Sequence, residues 1–223
     1  MAARLLVLYL LVLVLYMGST SESAFTKRPN PNPIDIIKSS CKNTRYPVAC
    51  VESLSRYASV IRESDQQLAI TALSVTVSRT KSCASFVNTM AKVKGLKPRE
   101  YNVVRDCMQN LHDSVDRLNQ SVKEFGLVGN KGKGKGKDLV HMSNIQTWVS
   151  AAITDQATCL DGFDEAHVGK NLKAAIRPKV VDVSQLTSNA LALVNRFASS
   201  WRSDMCCAIF VSAGSPWTVI YVV

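Results

Sequence analysis

Four stretches of the chain place core-type residues at alternating steps of four and three, the rhythm of a narrow stripe on one helix face. The first runs Ala69, Leu73, Thr76, Thr80, Cys83, Val87 and Met90, with Ser64 and Gln67 ahead of it in the order of a capping box. The second, just after Pro98, runs Val104, Met108, Leu111, Val115, Leu118, Val122 and Phe125. The third is Ile145, Val149, Ala152, Gln156, Cys159 and Phe163, and the fourth is Val183, Leu186, Ala190, Leu193 and Phe197. No segment sustains the alternation of a strand. Stripes of this kind bury one another best side by side, so the expected fold is all-α, an up-down four-helix bundle over residues 64–198.

Ahead of the bundle, residues 34–57 read as two short helical pieces broken by Asn43, Tyr46 and Pro47, a helical hairpin. Cys41 and Cys50 bracket its turn in CKNTRYPVAC, while Cys107 and Cys159 lie inside patterned helices, in VRDCMQNL and WVSAAITDQATCLDGF. Neither arrangement has the close ligand pairs and neighbouring histidine of a metal site. Both suit disulfides formed in an oxidising compartment, so the fold is expected to be stapled twice. Cys107 and Cys159 both sit at the seam, where helix axes about 8–10 Å apart are within disulfide reach. Cys83, on the first stripe, reads as a buried free thiol.

The ends bound the domain. Arg4, the apolar run Leu5 to Met17 and the small residues GSTSESA form a secretory signal over residues 1–24. That run is short of the roughly 20 residues a spanning helix needs. RPNPNP then makes an extended leader within residues 25–33, and the folded domain is expected over 34–198. The stretch from residue 199 to 223 does not continue the fourth stripe and reads as an extension past the domain, the alternatives being a tail packed on the bundle or a lipid-anchor signal, with Cys206 and Cys207 outside the disulfide framework. Its spacer before the apolar tail is shorter than the roughly 8–12 residues of a lipid-anchor signal. A mature chain of roughly 200 residues is enough for one domain with a full core.

The net charge is +10, and loss of the signal removes only Arg4 and Glu22, leaving it unchanged. In a secreted protein such a balance suits either acidic surroundings such as a polyanionic polysaccharide or simply solubility, and the charge alone does not decide between them. Nucleic acid is excluded by the compartment and by the lack of aromatic–basic interleaving. In GNKGKGKGKD, Lys131, Lys133, Lys135 and Lys137 alternate with glycine, a flexible solvated loop able to touch an anionic wall polymer weakly. Catalytic chemistry has no support. His112, His141 and His167 fall on a helix and two connecting loops, and Asp161, Asp164 and Glu165 in LDGFDEA lack the spacing of a Ca²⁺ loop. No metal, cofactor or enzyme activity is expected. Asn119, in the sequon Asn119-Gln120-Ser121, is the candidate for glycosylation.

Four ordered motifs, CKNTRYPVAC, YNVVRDCMQNLHDSVDRL, IQTWVSAAITDQATCLDGF and SQLTSNALALVN, resemble the plant invertase and pectin methylesterase inhibitor family over about residues 30–198. The resemblance implies a hairpin and bundle held by Cys41–Cys50 and Cys107–Cys159. It also implies a non-catalytic protein of the apoplast or cell wall that blocks the active-site cleft of a carbohydrate-active enzyme. The invertase-directed branch carries a Pro-Lys-Phe motif between the second and third bundle helices, and GLVGNKGKGKGKDLVHMSN lacks it. Pectin methylesterase is therefore the expected partner and acid invertase the alternative. A cationic polysaccharide-binding protein is the alternative of another class. By the same resemblance the contact surface is the outward face of the second and third bundle helices, with Thr158 and Asp161 as the named candidates.

Overall fold

This computed structural model describes residues 32–61, 64–129, 135–165 and 168–212, excepting the side chains of Lys135 and of residues 200–212. The signal, most of the leader, Lys131, Lys133, His167 and the end of the tail lie outside the described residues. The described elements are α1 (Pro33–Cys41), α2 (Pro47–Leu54), a 3₁₀ turn (Ser55–Tyr57), α3 (Ala58–Ile61), α4 (Asp65–Met90), α5 (Pro98–Phe125), α6 (Lys135–Glu165) and α7 (Lys170–Ser212). They include no strand.

Local chemistry sets the boundaries. Asn32 Oδ1 accepts from the Ile34 amide at 3.1 Å, and Pro33 occupies the first turn of α1, where its missing N–H is not needed. The helix thus begins on the last proline of the stretch expected to be extended. Ser64 Oγ accepts from the Gln67 amide at 3.2 Å and starts α4. Gly95 (φ 88°) and Gly129 (φ 77°) take left-handed turns in the connections on either side of α5.

The four long helices pack in a closed ring: α4 on α5, α5 on α6, α6 on α7 and α7 back on α4. The α5–α6 seam and the α4–α7 seam are therefore on opposite sides of the bundle. The hairpin joins the core through Ile37 and Leu54, and α3 through Ile61, all buried. Buried Asn189 of α7 holds its turn from both sides, accepting from the Tyr46 amide at 3.0 Å and donating to the Tyr46 carbonyl at 2.8 Å. Sulfur bonds join Cys41 to Cys50 and Cys107 to Cys159.

The apolar core divides in two, one cluster around the hairpin and the other around the Cys107–Cys159 bond. Between them lies a layer of buried polar side chains, Thr76 and Thr80 from α4, Ser114 from α5, Gln156 from α6 and Thr187 from α7. Gln156 Nε2 donates to Ser114 Oγ (2.8 Å) and Thr187 Oγ1 (3.0 Å), while its Oε1 is buried without a partner. The hydroxyls satisfy themselves on backbone carbonyls: Thr187 on Val183, Ser114 on Ala152, Thr76 on Ala72 and Thr80 on Thr76.

Three expectations change. On α5 the buried seam is Val104, Cys107, Leu111, Ser114, Leu118, Ser121 and Phe125, with Val115 beside it, whereas Met108 and Val122 are only half-buried. Small residues let α6 approach closely, and the Ser121 hydroxyl donates to the Arg117 carbonyl, which removes the penalty of burying it. α6 begins within the lysine–glycine run, so Lys135 and Lys137 are helical and His141 is not in a loop. Asp138, buried, accepts from the Gly129 amide at 3.2 Å and closes that connection. α7 runs through Pro178 and on to Ser212, into the stretch the pattern leaves outside the bundle. Buried Leu172, Ile176 and Val180 anchor it on both sides of the proline.

Candidate functional site

The spacing along α5 and α6 builds a shallow groove over the second disulfide. Val103, Asp106 and Asn110 are three and four residues apart and share one face of α5. Thr158, Asp161, Gly162 and Glu165 share one face of α6 in the same way. Cys107 and Cys159, with Cα atoms 4.2 Å apart, also line this groove of about 340 Å³. A covalent tie at the seam leaves these side chains on two helices that cannot splay.

Thr158 is exposed, and its hydroxyl donates to the Thr154 carbonyl at 2.9 Å, leaving the oxygen lone pairs to accept. Asp161 is exposed, and no hydrogen bond or ion pair among the described residues engages its carboxylate. Sitting one place before and two places after Cys159, the two residues are brought to the same groove by the helix. Asp106 makes only a loose, exposed ion pair with its neighbour Arg105 at 3.8 Å.

Farther along the seam, Gln109 donates to Asp113 at 3.0 Å, and Arg117 Nε donates to Asp155 Oδ2 at 2.8 Å across the two helices. Burial raises the Asp155 pKa from its ordinary value against the opposing pull of Arg117. Sequence reasoning missed this pair, because its partners are 38 residues apart and stand in two separate motifs, so only the packed helices show that they meet.

The acidic triplet of LDGFDEA is divided by the fold. Asp164 turns away from the groove to α7, where Lys173 lies at 2.5 Å and Arg177 at 3.0 Å. Those two cations, the Lys173 hydrogen bond above all, hold its carboxyl below the usual range. No group of three His, Cys, Asp or Glu side chains among the described residues is arranged to hold a metal ion. His112 is exposed on α5, whereas His141 Nδ1 lies 2.7 Å from Glu124, which also accepts from Asn144 at 2.9 Å. The described histidines are thus on separate sites. Cys83 is a buried free thiol, pushed up to about 11 by burial against the pull of Lys179, and stays protonated. Asn119 is half-buried, and Ser121 of its sequon is fully buried.

The groove has a sulfur-bonded floor and a polar rim, a surface that suits recognition. A family model described as plant invertase/pectin methylesterase inhibitor matches residues 35–193. The chain is 48% identical over 189 residues to Pectinesterase inhibitor 9 of Arabidopsis thaliana, covering 83% of this chain and 92% of that one. It is 46% identical over 167 residues to the 21 kDa protein of Daucus carota, covering 74% and 85%. With Pectinesterase inhibitor 11 of Arabidopsis thaliana it shares 41% identity over 198 residues, covering 88% and 96%. The crystal structure of a mutant form of a pectin methylesterase inhibitor from Arabidopsis matches with a TM-score of 0.56 at 19% identity, over 71% of this chain and 95% of that one, a likeness of fold.

Proposed function

The chain belongs to the plant invertase/pectin methylesterase inhibitor family, and from that premise we propose that it is a secreted, non-catalytic inhibitor of plant pectin methylesterase. It binds the enzyme, fills the active-site cleft and limits pectin de-esterification. One observation carries the target: relatives 48% and 41% identical, matched over nearly their whole length, bear the name pectinesterase inhibitor. The N-terminal signal pattern supports release to the apoplast, and no described helix is long and apolar enough to cross a membrane.

Inhibition by occlusion needs a rigid surface and no chemistry. Two helices tied at Cys107–Cys159 offer one, and little conformational freedom is lost when such a face is buried. A carbohydrate cleft is lined with polar groups, so the matching surface is polar, with the Thr158 hydroxyl and Asp161 carboxylate as hydrogen-bonding centres. Lys131, Lys133, Lys135 and Lys137 add a weak electrostatic contact with pectin.

The test titrates the secreted chain against a plant pectin methylesterase and, in parallel, a cell-wall invertase. Loss of methylesterase activity alone is expected, and loss of invertase activity alone would overturn the target. Asp161→Ala removes a charged hydrogen-bonding group worth roughly 1.5–3 kcal/mol, so its inhibition constant should rise roughly ten- to hundredfold at unchanged thermal stability. If Thr158→Ala and Asp161→Ala both inhibit like wild type, the contact face lies elsewhere.

A further inference from the structure

The cations of this chain are gathered. Ala91 to Arg99 reads AKVKGLKPR and Lys170 to Lys179 reads KNLKAAIRPK; each holds four of the 27 Lys and Arg, and neither holds any of the 17 Asp and Glu. The fold brings the two segments together at one end of the bundle. The Lys97 amide donates to Glu100 Oε2 at 3.0 Å and the Gly169 amide to Oε1 at 2.9 Å, so one carboxylate pins the α4–α5 connection to the start of α7. A cavity of about 490 Å³ opens between them, with Lys94 and Lys170 in its lining. Glu100, which also lines it, has both oxygens taken by those amides.

Some of these cations are engaged within the protein. Lys173 and Arg177 are held by Asp164, and the Lys179 ammonium lies 4.6 Å from the centre of the Phe86 ring. Lys92, Lys94, Lys97, Arg99 and Lys170 are exposed, and no ion pair among the described residues engages them. Like charges gathered in this way repel, so the arrangement gains nothing for the protein alone and is complementary to an extended anion. Four of the five are lysines, compact point charges rather than the planar forks that grip phosphate in two places. Neither segment holds an aromatic residue on which a nucleic-acid base could stack. None of the five lines the α5–α6 groove.

We propose that this basic end binds a linear polycarboxylate polysaccharide, the de-esterified stretches of pectin being the partner of that chemistry. The inference goes beyond the inhibitor reading and stands without it. If both hold, the inhibitor is retained on the wall wherever its target enzyme has already exposed carboxylates.

The experiment co-sediments or captures the secreted chain on polygalacturonate and on fully methyl-esterified pectin, over a range of salt. Binding to polygalacturonate is expected to be at least tenfold tighter, and to weaken steeply between about 50 and 200 mM NaCl as screening grows. The triple variant Lys92→Gln, Lys94→Gln, Lys170→Gln should lose at least tenfold in affinity while its melting temperature and methylesterase inhibition stay those of wild type. A matched variant of equal net charge, Lys42→Gln, Lys81→Gln, Lys123→Gln, should bind within twofold of wild type. Equal losses in the two triple variants would reduce the effect to net charge and overturn the proposal. So would wild-type binding by the first variant, or loss only on neutralising Lys131, Lys133 and Lys137. Failure of methylesterase inhibition with polymer binding intact would sink the inhibitor reading and leave this one standing.

Discussion

Removing the two disulfides one at a time separates what each contributes to stability. All four cysteines are 0–1% exposed, so replacing either pair with alanine sacrifices similar packing. What differs is the loop each bond closes, a sequence separation of 9 for Cys41–Cys50 and 52 for Cys107–Cys159. Restricting the unfolded chain over those lengths is worth about 2.6 and about 4.1 kcal/mol, and the packing loss cancels in the difference of about 1.5 kcal/mol. In a mature chain of this size that difference corresponds to a melting point roughly 3–6 °C lower for the bundle variant than for the hairpin variant. Guanidinium unfolding of wild type, Cys41→Ala/Cys50→Ala and Cys107→Ala/Cys159→Ala measures it, provided the three share one denaturant slope. Equal losses, or a larger loss in the hairpin variant, would refute loop closure as the source of the stabilisation.

Three further outcomes follow from buried and titrating groups. Gln156→Leu should unfold within about 1 kcal/mol of wild type, because the two hydrogen bonds it loses are offset by removal of a buried carbonyl oxygen that has no partner. Gln156→Ala leaves a cavity as well and should fall roughly 2–4 kcal/mol below wild type; a Leu variant equally damaged would contradict the account. Glu100 is held below its ordinary range by the Lys97 and Gly169 amides, so its stabilisation is present above the unfolded carboxylate pKa and is lost as pH falls through the lower folded value. The melting-point gap between wild type and Glu100→Gln should therefore be widest near neutrality and close in acid, and a gap indifferent to pH would count against it. Asp155, raised by burial, has the opposite sign: its contribution is full below the unfolded pKa and declines as pH rises through the raised folded one. Asp155→Asn should accordingly gain on wild type as pH rises over the carboxylate range, and a steady loss in the same melting series would reverse the assignment.

Much of the architecture was legible because the stripes of α6 and α7 are almost purely positional. Ile145, Val149, Ala152, Gln156, Cys159 and Phe163 are all buried, as are Val183, Leu186, Ala190, Leu193 and Phe197. The α5 stripe is right at Val104, Leu111, Val115, Leu118 and Phe125 and wrong at Met108 and Val122, where hydropathy points but close packing favours the smaller Cys107, Ser114 and Ser121. Helix extent was harder still. α7 continues through Pro178 because Leu172, Ile176 and Val180 are buried around it, a tertiary reward that local propensity does not contain. At the candidate site, Thr158 and Asp161 come from the family resemblance, and the helix sets both beside Cys159 in one groove. The Arg117–Asp155 pair and the basic end do not, since each is assembled from segments that only the folded chain brings together.

The polar layer at Gln156 also fixes the axial alignment of the helices. Stripes of aliphatic residues are nearly interchangeable, and α6 displaced by two turns along its neighbours would still find apolar partners. It would not find Ser114 and Thr187, and the stranded amide would cost roughly 1–3 kcal/mol for each unpaired group. A few hydroxyls in the interior therefore act as a ruler, deciding that Cys107 stands opposite Cys159 and that Asp106 shares a groove with Asp161.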